Sequence, residues 1–226
     1  MCHTFSVMQI STAVKAEKLS VSFGLDVPKI IFADLSFSVC AGEHIALTGS
    51  SGSGKSTVLR CLLGLVEPTA GEITIGDQVL NAKSIWNLRG EMAFVPQEAD
   101  LGVGTAREFI ERPFKYRINL TKIGNLNKLP DYMNKVGLDM KLLDSKTGSL
   151  SGGERQRMAL ISALLLDRPI LLLDEVVSAL DKKSAELVFG LLAGLKDKTI
   201  IGVVHDGAKM PFATREIGID GMIIDG

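Results

Sequence analysis

The sequence predicts an α/β fold with a phosphate-binding loop, an antiparallel β region early in the chain and an inserted helical lobe. Three features carry that prediction. First, the apolar run Ile45, Ala46, Leu47 enters a Gly/Ser-rich loop that gives way to the apolar-periodic Val58, Leu59, Leu62 and Leu63, which reads as strand, loop, helix. Second, two short apolar runs, residues 170–173 and 199–204, lie either side of a helical pattern at about 182–195, the signature of parallel strands joined by a crossover. Third, residues 98–149 are helical in pattern but broken by Pro113, Gly124, Pro130 and Gly137.

The elements follow in order. Residues 14–23 and 30–39 read as strands, the second with Leu35, Phe37 and Val39 alternating against Ser36 and Ser38. Ala41, Gly42 and Glu43 turn the chain into the strand that feeds the loop. Glu67 and Pro68 stop the helix after it, and residues 71–77 read as a short strand ending in a turn. Residues 91–95 form the next apolar strand, ended by Pro96 and Gln97. Beyond the helical lobe, Ser151 and Glu154 make a capping box ahead of Met158, Ile161 and Leu165, and Arg168 and Pro169 close that helix. In the helix at 182–195 the expected buried stripe is Leu187, Leu191 and Leu195. The Lys and Asn residues between 115 and 135 read as a solvated face.

The loop itself is Gly49, Ser50, Ser51, Gly52, Ser53, Gly54, Lys55, Ser56 and Thr57, a Gly, four residues, then Gly-Lys-Ser. Glycines let several backbone N–H groups converge on one anion, and the following helix adds the positive end of its dipole. Lys55 is positioned to reach terminal phosphates, and the Ser56 hydroxyl can ligate the magnesium they carry. A Gly/Ser-rich linker would lack the flanking strand and helix. The loop therefore implies a nucleotide site.

Composition sets the class. The chain has 226 residues, enough for one large domain or two intimate subdomains, with 46% apolar and 23% charged residues, an ordinary globular balance. A net charge of −1 gives no broad basic surface for nucleic acid and none for an anionic membrane, although single basic patches stay open. Cys2, Cys40 and Cys61 have no paired short spacing, so neither a disulfide framework nor a zinc cluster is expected and reducing cytosol is the default. No apolar run approaches the roughly eighteen residues of a membrane helix, and residues 1–5 do not read as a secretory signal. The expectation is a soluble protein whose membrane association comes through a partner. The tail after His205 is brief, ending in Ile217, Ile219 and the apolar Met222, Ile223 and Ile224.

Leu150, Ser151, Gly152, Gly153, Glu154, Arg155, Gln156 and Arg157, then Asp174 and Glu175 after four apolar residues, then Ser178, Ala179, Leu180 and Asp181, complete a pattern. From about Lys18 to His205 the sequence resembles the ATP-binding cassette family, the nucleotide-binding subunits of ABC transporters. The resemblance implies a RecA-like core with its β subdomain over residues 1–97 and 150–226, and a helical subdomain over 98–149. It implies ATP and Mg2+ as ligands. Phe23 would stack on adenine, where the family more often has Tyr. Gln97 looks like the glutamine that touches magnesium or the attacking water, Asp174 like the carboxylate that holds magnesium, and Glu175 like the one that orients or deprotonates water. Residues 178–181 look like the D-loop and His205 like the switch histidine on the γ-phosphate.

Ser151, Gly152, Gly153 and Glu154 belong to the run that faces the nucleotide of an opposite subunit in that family. The resemblance thus implies an ATP-dependent head-to-tail homodimer or cassette pair, held at the cytoplasmic face of a membrane by an integral-membrane transporter subunit, with no nucleic acid partner. A soluble cassette ATPase of complex assembly, for example in iron-sulfur cluster biogenesis, shares the same motifs. The segment from Gly104 to Arg117, with Pro113 and Phe114, also resembles small metal-efflux and iron-efflux cassettes, and Phe109, Phe114 and Tyr116 are candidate docking contacts. Val176 and Val177 stand where the family often has Pro and Thr, and Val204 where Thr is common. Neither change touches a reacting group, so activity is expected to survive.

Overall fold

The computed structural model describes residues 11–24, 28–205 and 209–219, so Cys2, Asp206 and the apolar run 222–224 lie outside the described residues. The first sheet comprises β1 (Thr12–Phe23), β2 (Lys29–Cys40), β4 (Ala70–Ile75) and β5 (Gln78–Val79), antiparallel in the order β2-β1-β4-β5. Alternation drives it. Val14, Ala16, Leu19 and Val21 of β1, and Phe32, Leu35, Phe37 and Val39 of β2, are buried while most residues between them are not. The register slips between Ala16 and Leu19 where Lys18 takes a positive φ of 50°. Gly71 sits opposite that bulge, where a Cβ would meet the Lys18 carbonyl oxygen at 2.3 Å; only glycine fits.

The second sheet comprises β3 (His44–Thr48), β6 (Met92–Val95), β7 (Ile170–Asp174), β8 (Thr199–Val203) and β9 (Arg215–Gly218), all parallel in the order β6-β7-β8-β3-β9. Every residue of β7 and β8 is buried, as continuous apolar runs in a doubly covered sheet should be. Helix α1 (Lys55–Leu62) follows β3, α2 (Ile85–Arg89) precedes β6, and α6 (Lys182–Ala193) connects β7 to β8.

Helix α5 (Gly152–Leu165) lies between the parallel sheet and the chain from 98 to 149, and Met158, Leu160, Ile161 and Leu165 join β6 and β7 residues in one apolar cluster with Ile110, Phe114, Met133 and Leu143. That intervening chain holds α3 (Ala106–Glu111), α4 (Leu129–Lys135) and four 3-10 segments, Arg112–Lys115, Arg117–Lys128, Met140–Asp144 and Thr147–Ser149. The prolines set the punctuation. Pro113 and Pro130 stand at the starts of helical segments, where a missing N–H costs nothing, and Gly137 at φ 68° follows α4 with its N–H on the Asn134 carbonyl.

Three expectations need correction. In α6 the buried residues are Ser184, Val188 and Leu192, while Leu191 and Leu195 pack at the margin and Leu187 is exposed, so the stripe is rotated from the expected one. Phe114 is 2% exposed and belongs to the core, not to a docking surface. Part of the expected solvated face at 115–135 is structural. Asn119 is buried, Lys122 Nζ donates to the Asp167 carbonyl at 2.8 Å, and Asn125 Nδ2 donates to the Leu165 carbonyl at 3.0 Å. The last carbonyls of a helix have no partner within it, and these side chains supply one.

Candidate nucleotide site

Four of the parallel strands deliver their site residues at the same end. The phosphate loop follows β3, Gln97 follows β6, Asp174 and Glu175 end β7, and His205 follows β8. That is the carboxyl edge of an open parallel sheet, where ligands bind in α/β proteins. The loop's backbone is set by Gly49 at φ 147°, Gly52 at φ 83° and Gly54 at φ 94°. Gly54 has a second reason to lack a side chain: a Cβ there would stand 2.6 Å from Ile31 Cγ2 and 2.9 Å from Phe32 Cδ1 on β2. As N-cap of α1 it offers no side-chain cap, and α1 has no acid in its first turn, so the helix's leading N–H groups stay available to an anion.

Lys55 is buried, and its ammonium donates to the carbonyls of Gly49 at 2.6 Å and Ser50 at 2.7 Å. The loop thus folds around its own cation. Ser53 Oγ is buried and, among the described residues, has no hydrogen-bond partner. Ser56 Oγ donates to Asp174 Oδ1 at 2.9 Å, tying the loop to the end of β7. Burial is the largest influence on Asp174 and pushes its carboxyl above the usual range; the Ser56 hydroxyl pulls it down and the neighbouring Glu175 pushes it up.

Glu175 has φ 45°, in the left-handed region, and its N–H bonds to the Val203 carbonyl at 3.2 Å. For a non-glycine residue that conformation is costly, and here it turns the carboxylate away from the line of β7. Gln97 Nε2 donates to Glu175 Oε2 at 3.0 Å, so β6 and β7 present an amide and a carboxylate to each other. His205 is exposed at the end of β8.

The Ser151 end of α5 is a complete capping box. Ser151 Oγ and the Ser151 N–H both donate to Glu154 Oε2, at 2.7 and 2.8 Å, while the Glu154 N–H returns to Ser151 Oγ at 3.3 Å. These bonds, the hydroxyl's first, hold the Glu154 carboxyl below its usual range. Gly153 lets the following loop close in, since a Cβ would lie 3.2 Å from Leu180 Cδ2 and 3.3 Å from the Ala179 carbonyl. Asp181 then caps α6 through the Ser184 N–H at 3.0 Å. Gly152, Ala179 and Gln97 line one cleft of about 640 Å³. Phe23, at the end of β1, is 49% exposed, and its strand pairs with β2, whose Ile31 and Phe32 stand against Gly54.

Gln156 was not singled out in the sequence. Buried on α5, it donates from Nε2 to the Pro96 carbonyl at 2.7 Å. The signal was available: position 156 shares a helical face with the buried Ala159, Leu160 and Ala163, and an amide on such a face needs a partner.

The ABC transporter family model matches residues 32–178. The chain belongs to that family. The matched span runs from β2 through the phosphate loop to the loop after Glu175 and carries the family's ATP-binding cassette. Among relatives, the lipoprotein-releasing system ATP-binding protein LolD of Psychrobacter arcticus is 37% identical, over 83% of this chain and 86% of its own length. The mesentericin-Y105 transport/processing ATP-binding protein MesD of Leuconostoc mesenteroides is 32% identical over 86% of this chain. The chain spans 27% of MesD's length. Among solved structures, the ABC cassette MJ0796, a dimer in a post-hydrolysis state bound to ADP and Pi, superposes with a TM-score of 0.80 at 29% identity, covering 91% of this chain and 93% of that one.

Proposed function

We propose that the chain is the ATP-hydrolysing cassette that energises a membrane transporter, working as an ATP-clamped pair of copies. The observation that carries this reading is the convergence, at one end of the parallel sheet, of Ser56 on Asp174 and of Gln97 on Glu175. One pair supplies oxygen donors beside the phosphate loop. The other pairs a carboxylate with the amide that fixes its direction.

In this reading the loop N–H groups and Lys55 take the phosphates, the ammonium exchanging the Gly49 and Ser50 carbonyls for phosphate oxygens. Phe23 stacks on the base, and its half-exposed ring suits that role better than core packing. Ser56 and Asp174 would hold Mg2+: a hydroxyl and a carboxylate are hard oxygen donors. No cluster of three or more ligating side chains is found among the described residues, which suits an ion completed by nucleotide phosphates and water. The ion would supply Lewis-acid neutralisation of the phosphate charge. Glu175 orients a water and accepts its proton, Gln97 holds the Glu175 carboxylate, and His205 donates to the γ-phosphate. Ser151 of the partner subunit, with the adjoining N–H groups of its α5, covers the nucleotide from the opposite side.

MesD is described as a transport/processing ATP-binding protein, LolD as the ATP-binding protein of a lipoprotein-releasing system, and MJ0796 as a dimer. This supports transport over complex assembly, since nothing among the named relatives points to iron-sulfur assembly. No helix among the described residues is long and apolar enough to cross a membrane; in this reading a membrane-spanning partner provides the path and the cassette works at its cytoplasmic face. Pro113 and Phe114, which resembled metal-efflux cassettes, are accounted for by a helix start and a core position.

The test is Glu175→Gln. ATP affinity should be retained, turnover should fall by about a hundredfold or more, and an ATP-dependent dimer should appear by light scattering. Unchanged turnover would remove Glu175 from the reaction.

A further inference from the structure

Glu175 is one of four non-glycine residues with positive φ among the described residues; the others are Lys18 at 50°, Asp34 at 53° and Asp167 at 48°. An L-residue left to itself avoids that region, because its Cβ crowds the following carbonyl oxygen. Each of the four needs something to hold it there, and in each a side chain bonds to the backbone. The Lys18 N–H donates to Ser36 Oγ at 2.8 Å, the Asp34 N–H donates to Ser20 Oγ at 3.0 Å, and the Asp167 carbonyl accepts from Lys122 Nζ at 2.8 Å. For Glu175 the clamp is Ser178, whose hydroxyl donates to the Glu175 carbonyl at 2.8 Å. The first three shape strand irregularities or a helix end. Only the fourth carries a side chain of the nucleotide site.

The turn after β7 has few other polar groups to fix it. The Ser178 N–H also donates to the Glu175 carbonyl, at 3.0 Å, so two bonds converge on one oxygen. Val176 is buried and Val177 packs against the core, and neither has a polar side-chain atom; nor has Ala179. Ser178 is therefore the one residue from 176 to 179 whose side chain can hold the turn by hydrogen bonding. On the other side, the Glu175 N–H reaches the Val203 carbonyl at the end of β8 at 3.2 Å, and the Glu175 carboxylate accepts from Gln97 Nε2 at 3.0 Å. The residue is thus gripped at its amide, its carbonyl and its carboxylate. Loosening the carbonyl lets the strained backbone relax toward negative φ, which swings Cβ and carries the carboxylate away from Gln97.

We infer that Ser178 is a positioning residue for Glu175: its hydroxyl holds the left-handed turn that aims the carboxylate at the attacking water. This role rests on the reading of Glu175 as the group that takes the water's proton. Ser178 acts through the Glu175 backbone and leaves the phosphate loop and Lys55 untouched, so its loss belongs in kcat and not in ATP affinity. The size of the effect follows from the bond. One neutral hydrogen bond shifts an equilibrium by about fivefold, and the remaining Ser178 N–H bond keeps the loss partial. Because Ser178 is exposed, removing its hydroxyl should cost the fold little.

The test compares Ser178→Ala with Ser178→Thr in the full chain by steady-state ATP hydrolysis with Mg2+. Ser178→Ala should lower kcat about fivefold, with KM for ATP unchanged and Tm within about 2 °C of wild type. Ser178→Thr keeps the hydroxyl and should stay within about twofold of wild type. The residual turnover of Glu175→Gln should not fall further when Ser178→Ala is added, because the carboxylate being aimed is already gone. The ATP-dependent dimer of Glu175→Gln should form equally well with either residue at 178. Unchanged kcat in Ser178→Ala, an equal further loss in the Glu175→Gln background, or a weaker ATP-dependent dimer, which would place Ser178 on the clamping face, would each overturn the positioning role. Unchanged turnover in Glu175→Gln alone is a separate result: it would remove Glu175 from the reaction and the role of Ser178 with it.

Discussion

Gln156 Nε2 donates to the Pro96 carbonyl at 2.7 Å, and the residue after that proline, Gln97, donates to Glu175. The helix that begins at Ser151 is therefore tied to the loop that aims the amide at the carboxylate. Pro96 has no N–H, so its carbonyl is the loop's anchor at that point, and Gln156 is 2% exposed.

Gln156→Leu keeps the volume and removes the donor, leaving the half-buried Pro96 carbonyl without that partner. Loss of such a partner costs about 1–3 kcal/mol. Thermal or urea unfolding should show that loss. If Gln156 also positions Gln97, kcat should fall about tenfold with ATP affinity unchanged, and a Gln97→Ala, Gln156→Leu double substitution should be no slower than Gln97→Ala alone. Additive losses in kcat would reduce Gln156 to a packing role.

Lys55→Ala removes the ammonium that Gly49 and Ser50 hold in the loop. ATP affinity measured by calorimetry should drop by at least a hundredfold, because charge-assisted bonds to phosphate are among the strongest single contacts available. Retained affinity would argue against the loop as the phosphate cradle. The fold should persist, since the two carbonyls released are part-buried loop groups outside the sheet and helix ladders.

Gly54→Ala adds one carbon where φ is 94° and where Ile31 Cγ2 stands 2.6 Å away. Either α1 shifts or β2 gives way. A cost of about 1–3 kcal/mol is expected from the strained backbone alone, together with weakened ATP binding. Gly52→Ala is the control: it shares a positive φ of 83° but has no atom within 4 Å of the new carbon, so its loss should be smaller.

Much of this site was legible because its chemistry is written in residue types that few other positions use. A Gly-rich loop ending in Lys55 and Ser56, a Ser151-to-Glu154 capping box and two carboxylates after an apolar run each have a local physical reason, and local reasons survive in sequence. The column Asn119, Lys122 and Asn125 did not, because its partners lie some forty to fifty residues on, around the end of α5: the Arg168 guanidinium, which donates to Asn119 Oδ1, and the Asp167 and Leu165 carbonyls, which accept from Lys122 and Asn125. Read with a period of 3.6, those residues scatter over a solvated face; read with a period of three they align. The α6 stripe failed for a related reason. Leu187, Leu191 and Leu195 are periodic, yet Ser184, Val188 and Leu192 are equally so, and the capping bonds that Ser184 donates to Asp181 help to set the turn that faces inward. Thr105 and Glu108 form a second capping box, at the start of α3.

The end of α5 is also where stability should respond to pH. Asp167 adopts φ 48° just past the helix, and its carboxylate is 2.5 Å from Lys198 Nζ, which, before smaller charge effects, holds its pKa below the usual aspartate range. A folded pKa below the unfolded one means that the folded chain binds fewer protons in that window. The stabilisation is then complete above the ordinary carboxylate range and is lost as pH falls through the folded value. Asp167→Asn should lower Tm at neutral pH, and the gap between the two melting curves should narrow steadily as the wild-type aspartate protonates below about pH 4. Because the Asp167 side chain is partly exposed, the effect should be small and should shrink further with salt. A gap that stays constant down to the lowest pH would mean that Asp167 acts through its left-handed backbone and its carbonyl bond from Lys122, and not through the ion pair.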